Sequence, residues 1–175
     1  MRNRVLGKNK AILSQDIRFI RKFTILADCS KDYMTKKAKV QKERVITLGK
    51  IRDKRGNLSV IENDKLLPFR IARTYWVYDV PGGASRGGHA YHKSEEFIIA
   101  LSGSFDLHIH DGKEERTYHL DQCSKGVYIP AGIWRQMKNF ATNSIGLVIT
   151  STAYSPRDYI RDFDKFIQLK KSYAL

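Results

Sequence analysis

Short apolar segments separated by Gly, Pro and Asp turns fill the chain from residue 45 onward, and this pattern restricts its fold more than any other feature. Residues 105–110, for example, alternate apolar and polar side chains and stop at Asp111-Gly112, a typical tight-turn pair. Many such segments at regular spacing are typical of a β-sandwich, barrel or jelly roll. We therefore predict an all-β domain that covers 45–175.

Besides a strand that opens at His89, eight strands and one helix are expected within this domain. Apolar residues between 158 and 171 have helical spacing, so a short C-terminal helix is expected there. A glycine-rich loop is expected at 81–88. The predicted strands cover 45–48, 58–62, 69–80, 97–101, 105–110, 117–120, 126–130 and 145–150.

Residues 1–44 differ in composition from the rest of the chain. They contain 13 Lys and Arg residues but only four acidic residues, so they hold +9 of the net charge of +14. We predict a basic N-terminal extension that is partly helical or a linker, and an anchor to an anionic membrane surface or a dimer-clasping arm are open alternatives. We expect no nucleic-acid partner, because aromatic residues do not interleave the basic ones.

The rest of the composition excludes several classes of protein. No apolar run approaches the roughly 20 residues that cross a bilayer, so no membrane span is expected. The basic start also lacks the apolar core of a secretory signal. Cys29 and Cys123 are too few and too distant for a disulfide framework, and they are expected to be free thiols in a reducing cytoplasm.

Two groups of residues carry the candidate chemistry. They run Gly83-x5-His89-x-Tyr91-x4-Glu96-x6-Gly103 and Pro130-x-Gly132-x2-Arg135-x3-Asn139. This spacing resembles the two motifs of the cupin superfamily, which implies a double-stranded β-helix jelly roll. Residues two apart on a strand point to the same face, so His89 and Tyr91 are both expected to face the barrel interior.

The residue types at these positions argue against a metal site. Metal-binding cupins place His, His, Glu and His around the ion, whereas this chain has His89, Tyr91, Glu96 and Arg135. An arginine stays protonated and repels a cation, so we expect no metal. A pocket with a histidine, a tyrosine and an arginine suits an anionic or carbonyl-bearing organic ligand.

Six segments narrow the resemblance. In order they read Asp53-Lys-Arg-Gly-Asn-Leu, Pro68-Phe-Arg-Ile-Ala-Arg-Thr-Tyr, Arg86-Gly-Gly-His-Ala, Ala100-Leu-Ser-Gly-Ser-Phe, Gly126-Val-Tyr-Ile-Pro-Ala-Gly-Ile-Trp-Arg and Asp158-Tyr-Ile-Arg-Asp-Phe. Over about 45–170 the chain resembles the WxcM-like sugar 3,4-ketoisomerases that act on dTDP-4-keto-6-deoxyglucose. This resemblance implies a metal-free and cofactor-free isomerase, a cytoplasmic homodimer, and a role in making 3-amino-3,6-dideoxysugars for lipopolysaccharide O-antigen, other surface glycans or antibiotics.

The resemblance also implies a set of site residues, with one departure. The family motif usually reads Arg-Gly-x-His-x-His-Lys, but here Tyr91 takes the place of the second His, and His92 follows it. We predict His89 as the main base and Tyr91 as its acid partner. The predicted substrate-binding residues, as enediolate stabilisers or diphosphate partners, are Arg55, Arg73, Arg86 and Arg135.

Other functions remain open at this point. The departure at Tyr91 leaves room for a non-catalytic nucleotide-sugar-binding module that partners an aminotransferase or acyltransferase. A metal-dependent cupin dioxygenase or epimerase is disfavoured by Tyr91 and Arg135. The sequence also leaves open the configuration at C4 of the product, galacto or gluco.

Overall fold

The structure, a computed structural model, describes residues 42–172. The predicted extension, 1–44, lies outside the described residues except for its last three, of which Arg44 begins the first strand. Within 42–172 no helix is long and apolar enough to cross a membrane.

Two five-stranded antiparallel sheets form the body of the domain, which confirms the predicted all-β jelly roll. The first sheet contains, in spatial order, β1 (Arg44–Thr47), β9 (Lys125–Ile129), β6 (Glu96–Ser102), β11 (Ile145–Thr150) and β4 (Arg73–Val77). The second sheet contains β12 (Tyr159–Ile160), β5 (Arg86–Tyr91), β10 (Trp134–Lys138), β7 (Phe105–His110) and β8 (Glu115–Leu120). From β4 to β7 the chain changes sheet at each strand, as in a double-stranded β-helix.

A separate hairpin follows β1. It pairs β2 (Ile51–Asp53) with β3 (Gly56–Leu58), and Arg55 lies in its turn. Its side chains are exposed, including the facing apolar pair Ile51 and Leu58.

The core lies in two layers, because the first sheet is covered on both faces. Side chains that alternate along its strands point inward to the second sheet or outward to the segment 48–71. The inner layer consists of Ile98, Ala100, Phe105, Leu107, Ile109, Leu120, Val127, Ile129, Ile133, Met137 and Val148. The outer layer consists of Ile46, Leu48, Leu67, Phe69, Phe97, Ile99, Tyr128 and Ile149.

Three predicted elements are wrong at least in part. The loop expected at 81–88 ends before Arg86, where β5 begins. The predicted strand 58–62 does not form, because β3 ends at Leu58 and the chain then leaves the hairpin. The predicted helix 158–171 begins later, as α1 (Phe163–Ser172). Its first part instead forms a short 3-10 helix (Pro156–Asp158) and strand β12, because backbone hydrogen bonds to β5 are available there.

Candidate active site

A cavity of about 310 Å3 opens along one end of β5, β10 and β4. Its walls combine cationic, aromatic and apolar side chains: Arg73, Tyr75, Val77, Arg86, Gly87, His89, Arg135, Met137, Tyr159 and Arg161. This cavity therefore contains three of the four arginines predicted to bind substrate, Arg73, Arg86 and Arg135. It also contains His89, one of the two predicted catalytic residues. The predicted Arg55 does not, because it lies in the turn of the β2–β3 hairpin, where its guanidinium pairs with Asp53.

A bulge in β5 shapes the cavity wall. Opposite β10, Arg135 pairs with His89 and Met137 pairs with Arg86, so β5 has one residue more than its partner over this stretch. Gly87 takes up the extra length with a φ of 68°, a left-handed conformation that favours glycine. A Cβ on Gly87 would lie 1.8 Å from Nη1 of Arg135, so glycine is also the residue that leaves room for this guanidinium.

Arg135 is fully buried beneath the cavity, and four of its five N–H donors are occupied. Nε donates to Oε2 of Glu96 at 2.7 Å, and Nη2 donates to Oε1 of Glu96 at 2.8 Å. Nη1 donates to the carbonyl of Gly87 at 2.7 Å, and Nη2 also donates to the Tyr75 hydroxyl at 3.0 Å. Arg135 therefore contributes a fixed positive charge to the site, while its hydrogen bonds hold β5, β6 and β4 together.

Glu96 occupies the position of the carboxylate that binds the ion in metal-binding cupins, and here it pairs with Arg135 instead. Both oxygens of Glu96 accept hydrogen bonds from Arg135, and Oε1 accepts a further one from Tyr75 at 3.1 Å. Among residues 42–172, no three His, Cys, Asp or Glu side chains converge as metal ligands do. The donor set of this cavity therefore does not fit a metal ion.

His89, Tyr91 and Tyr159 form an aromatic cluster beside Arg135. The ring centroid of His89 lies 4.8 Å from those of Tyr91 and Tyr159, and the centroids of the two tyrosine rings are 4.6 Å apart. His89 Nε2 and the Tyr91 hydroxyl are buried and have no hydrogen-bond partner within the described part of the chain. Because buried polar atoms are nearly always paired, Nε2 of His89, which lines the cavity, is a candidate for contact with substrate or water.

Burial and charge set the protonation of this cluster. Burial, reinforced by the positive charges of Arg135, Arg161 and Arg73, lowers the pKa of His89 to about 2. Burial, together with the negative charge of Glu96, raises the pKa of Tyr91 well above its ordinary value. At neutral pH the imidazole is therefore a neutral base and the Tyr91 phenol keeps its proton.

Asp158 positions the third ring of the cluster. Its carboxylate accepts hydrogen bonds from the backbone N–H of Lys93 at 2.8 Å and of Ser94 at 3.1 Å, and one from the Ser94 hydroxyl. Its own carbonyl accepts the N–H of His92 at 2.9 Å. These contacts set β12 against β5 so that Tyr159 pairs with Tyr91. His92 itself is exposed, away from the cavity.

Arg73, Arg86 and Arg161 surround the mouth of the cavity with positive charge. None of the three forms a salt bridge with a carboxylate among residues 42–172. Arg161 stacks its guanidinium 4.2 Å from the Tyr159 ring centroid, and Arg73 lies 5.1 Å from that of Tyr75. Three guanidinium groups without carboxylate partners among the described residues form a site suited to a diphosphate.

Tyr75, Tyr159 and Arg161 line the cavity but were not predicted as site residues, and the last two lie close together in the sequence. Both lie in the segment Asp158-Tyr-Ile-Arg-Asp-Phe, which contributes to the resemblance but was predicted to begin the C-terminal helix. Their place in this segment was the available signal, because β12 (Tyr159–Ile160) is too short for a strand period to show in the sequence.

Comparison with known proteins agrees with this geometry. Residues 41–171 match the family model FdtA, described as WxcM-like, C-terminal. The TDP-4-oxo-6-deoxy-alpha-D-glucose-3,4-oxoisomerase of Aneurinibacillus thermoaerophilus is 37% identical over 123 residues, which are 70% of this chain and 88% of that protein.

Solved structures give the same result. A mutant of the 3,4-ketoisomerase QdtA from Thermoanaerobacterium thermosaccharolyticum, in complex with TDP-4-keto-6-deoxyglucose, has a TM-score of 0.73 at 32% identity, covering 76% of this chain and 96% of that one. The TDP-fucose-3,4-ketoisomerase WlaRA of Campylobacter jejuni has a TM-score of 0.73 at 36% identity, covering 77% and 100%. With three quarters of its length matched by the family model, this chain belongs to the WxcM-like (FdtA) family of sugar 3,4-ketoisomerases.

Proposed function

We propose that this chain is a TDP-sugar 3,4-ketoisomerase that converts dTDP-4-keto-6-deoxy-D-glucose into a dTDP-3-keto-6-deoxyhexose. Family membership and relatives that act on or bind this sugar nucleotide support the substrate. The observation that carries the proposal is the unpartnered Nε2 of His89 in a cavity rimmed by arginines without salt bridges to the described carboxylates. The cavity has a base for the sugar and cations for the diphosphate.

The reaction requires only proton transfers. The hydrogen on C3 is acidic because C4 is a carbonyl, so a positioned base removes it and an enediol forms between C3 and C4. Reprotonation at C4, with loss of the O3 proton and gain of one on O4, completes the isomerisation without a cofactor. His89 serves as the base, because burial keeps its imidazole neutral.

The other predicted site residues divide between the sugar and the diphosphate. Tyr91 partners His89, with which it is in ring contact. Arg135 stabilises negative charge on the enediolate mainly through its field, because Glu96, Tyr75 and Gly87 occupy four of its five N–H donors. Arg73 and Arg86 bind phosphate oxygens at the cavity mouth.

A 3-keto sugar is the substrate type that an aminotransferase needs, so the product leads to 3-amino-3,6-dideoxysugars of surface glycans such as O-antigen. We assign the reaction to the cytoplasm. The exposed free thiol of Cys123 accords with a reducing compartment.

We further propose that the enzyme is a homodimer and that Arg55 serves the cavity of the second subunit. The hairpin that carries Arg55 exposes the apolar pair Ile51 and Leu58, and isolated two-stranded hairpins are marginally stable in water. A second copy that covers this pair stabilises the hairpin. It also brings Arg55 to a cavity that this residue does not reach in its own subunit.

The test of activity is an NMR experiment in D2O with dTDP-4-keto-6-deoxyglucose and no added metal. We expect a 3-keto product, in which deuterium at C4 reports exchange of the transferred proton with solvent, and the H4–H5 coupling of product formed in H2O identifies the galacto or gluco configuration. His89→Asn is expected to lower kcat by about 10²–10⁴-fold, the usual contribution of a general base, while TDP still binds.

His92→Asn is the matched control, because His92 is the neighbouring exposed histidine, and its activity should stay at the wild-type level. Two outcomes contradict the proposal. Absence of both product and deuterium exchange at high wild-type enzyme concentration favours the non-catalytic binding module, and full activity of His89→Asn removes His89 from the mechanism.

A further inference from the structure

The two tyrosines of the aromatic cluster differ in their access to the cavity. Tyr159 lines the cavity together with His89, whereas Tyr91 is absent from its walls and only 4% exposed. Tyr91 lies behind His89 and Tyr159 and contacts both rings. A sugar that enters this cavity therefore meets the Tyr159 side chain and not that of Tyr91.

The two tyrosines also differ in their electrostatic surroundings. Arg161 stacks over the Tyr159 ring at 4.2 Å, and the Arg73 guanidinium interacts with the Tyr159 hydroxyl. Burial, and after it the carboxylate of Glu96, instead oppose ionisation of Tyr91 and outweigh the favourable charge of Arg135. A phenol that gives up its proton during a reaction leaves a phenolate, which cations stabilise and a carboxylate destabilises.

We propose that Tyr159 is the catalytic acid that exchanges protons with the oxygens of the sugar, and that Tyr91 acts from behind as a positioning residue. This inference rests on the proposed ketoisomerase function. It assigns a catalytic role to a residue of β12, which the motif of β5 does not include.

The proton transfers balance with two enzyme groups. In the first half, His89 Nε2 takes the proton from C3 and the Tyr159 hydroxyl gives its proton to O4, which leaves an enediol, an imidazolium and a phenolate. In the second half, the phenolate takes the O3 proton as the C3 carbonyl forms, and the imidazolium gives its proton to C4. Both residues return to their starting states, and no oxidant or reductant is consumed.

The cavity suits these transient charges. The phenolate forms beside Arg161 and Arg73, and the imidazolium forms next to the phenolate, since the centroids of the two rings are 4.8 Å apart. The opposite charges on His89 and Tyr159 then offset one another during the lifetime of the enediol.

The experiment compares Tyr159→Phe with Tyr91→Phe, which remove one hydroxyl each and keep both rings. For Tyr159→Phe we expect kcat to fall by about 10²–10³-fold, as for loss of a general acid, with the Kd for TDP within about threefold of the wild type. For Tyr91→Phe we expect less than about a tenfold loss of kcat. Tyr78→Phe, which removes the hydroxyl of an exposed tyrosine elsewhere, should behave as wild type.

Arg161→Gln gives a second measurement if Tyr159→Phe folds poorly. It keeps the Tyr159 hydroxyl but removes the stacked cation, so kcat should fall by about tenfold. The inference is overturned if Tyr159→Phe retains wild-type kcat, if its loss is entirely weaker TDP binding, or if Tyr91→Phe is the more damaged of the two. Failure of the wild type to isomerise the sugar would instead contradict the proposed function itself.

Discussion

At the scale of single residues, the site depends on a buried cation that neutralises a buried carboxylate next to a neutral imidazole. Arg135 and Glu96 are each about 1% exposed and pair through two hydrogen bonds. Removing one partner of such a pair leaves an uncompensated buried charge. The positive charge of Arg135 also helps to hold His89 in its neutral form.

The lowered pKa of His89 predicts that the folded protein loses stability as the pH falls. The folded-state value of about 2 lies below the unfolded value near 6.5, so the unfolded chain binds a proton that the folded chain does not. The free energy of unfolding should therefore fall as the pH falls below 6.5. Between about pH 6.5 and 4.5 this group accounts for about 2 kcal/mol.

Urea unfolding of the wild type and of His89→Gln at several pH values measures this contribution. The decrease in free energy of unfolding from about pH 6.5 to 4.5 should be about 2 kcal/mol smaller in the variant, because the substituted side chain does not titrate. Equal decreases in the two proteins would mean that His89 is not held neutral in the folded state.

At the scale of elements, the spacing of two predicted that His89 and Tyr91 share one face of a strand. In the structure both lie on β5 and their rings are in contact. The bulge at Gly87 precedes His89, so the alternation of the following residues is preserved. The second half of the site depends on β12, a strand of two residues that is too short for any sequence period to identify. It forms because Asp158 anchors it to the loop after β5.

Asp158→Ala should detach β12 and misplace Tyr159. The variant leaves the N–H groups of Lys93 and Ser94 without their acceptor, which costs about 1–3 kcal/mol of stability. We expect kcat to fall by at least about tenfold, measured in the NMR assay, together with a lower Tm. Asp164→Ala, at an exposed position in the first turn of α1, is the control and should retain activity. An Asp158→Ala enzyme with wild-type kcat would show that β12 does not depend on this anchor.

At the scale of the whole molecule, the exposed hairpin predicts the assembly. Light scattering of the purified protein should give twice the chain mass of 20.2 kDa. Leu58→Asp places a charge on the apolar pair, and burying an unpaired charge in an interface is costly. This variant should therefore shift the protein toward monomers, and its activity should fall as the dimer is lost.

Arg55→Ala separates the two functions of the hairpin. This variant should remain a dimer, because the Arg55 side chain is exposed and its salt bridge lies within its own turn, but its KM should rise about tenfold. A wild-type protein that is monomeric and fully active would contradict the proposed dimer, and an unchanged KM in Arg55→Ala would remove this residue from substrate binding.

The sequence by itself determined the fold class, most of the strands and the identity of His89 as a candidate base. These features depend on alternation along single strands and on turn residues, both of which are local in the chain. The tertiary structure decided which groups meet. Glu96 and Arg135 are 39 residues apart, and Tyr159 reaches its cluster from a segment that reads as helical. No local pattern specifies these contacts, because they depend on which strands become neighbours, and that depends on burial of the whole core.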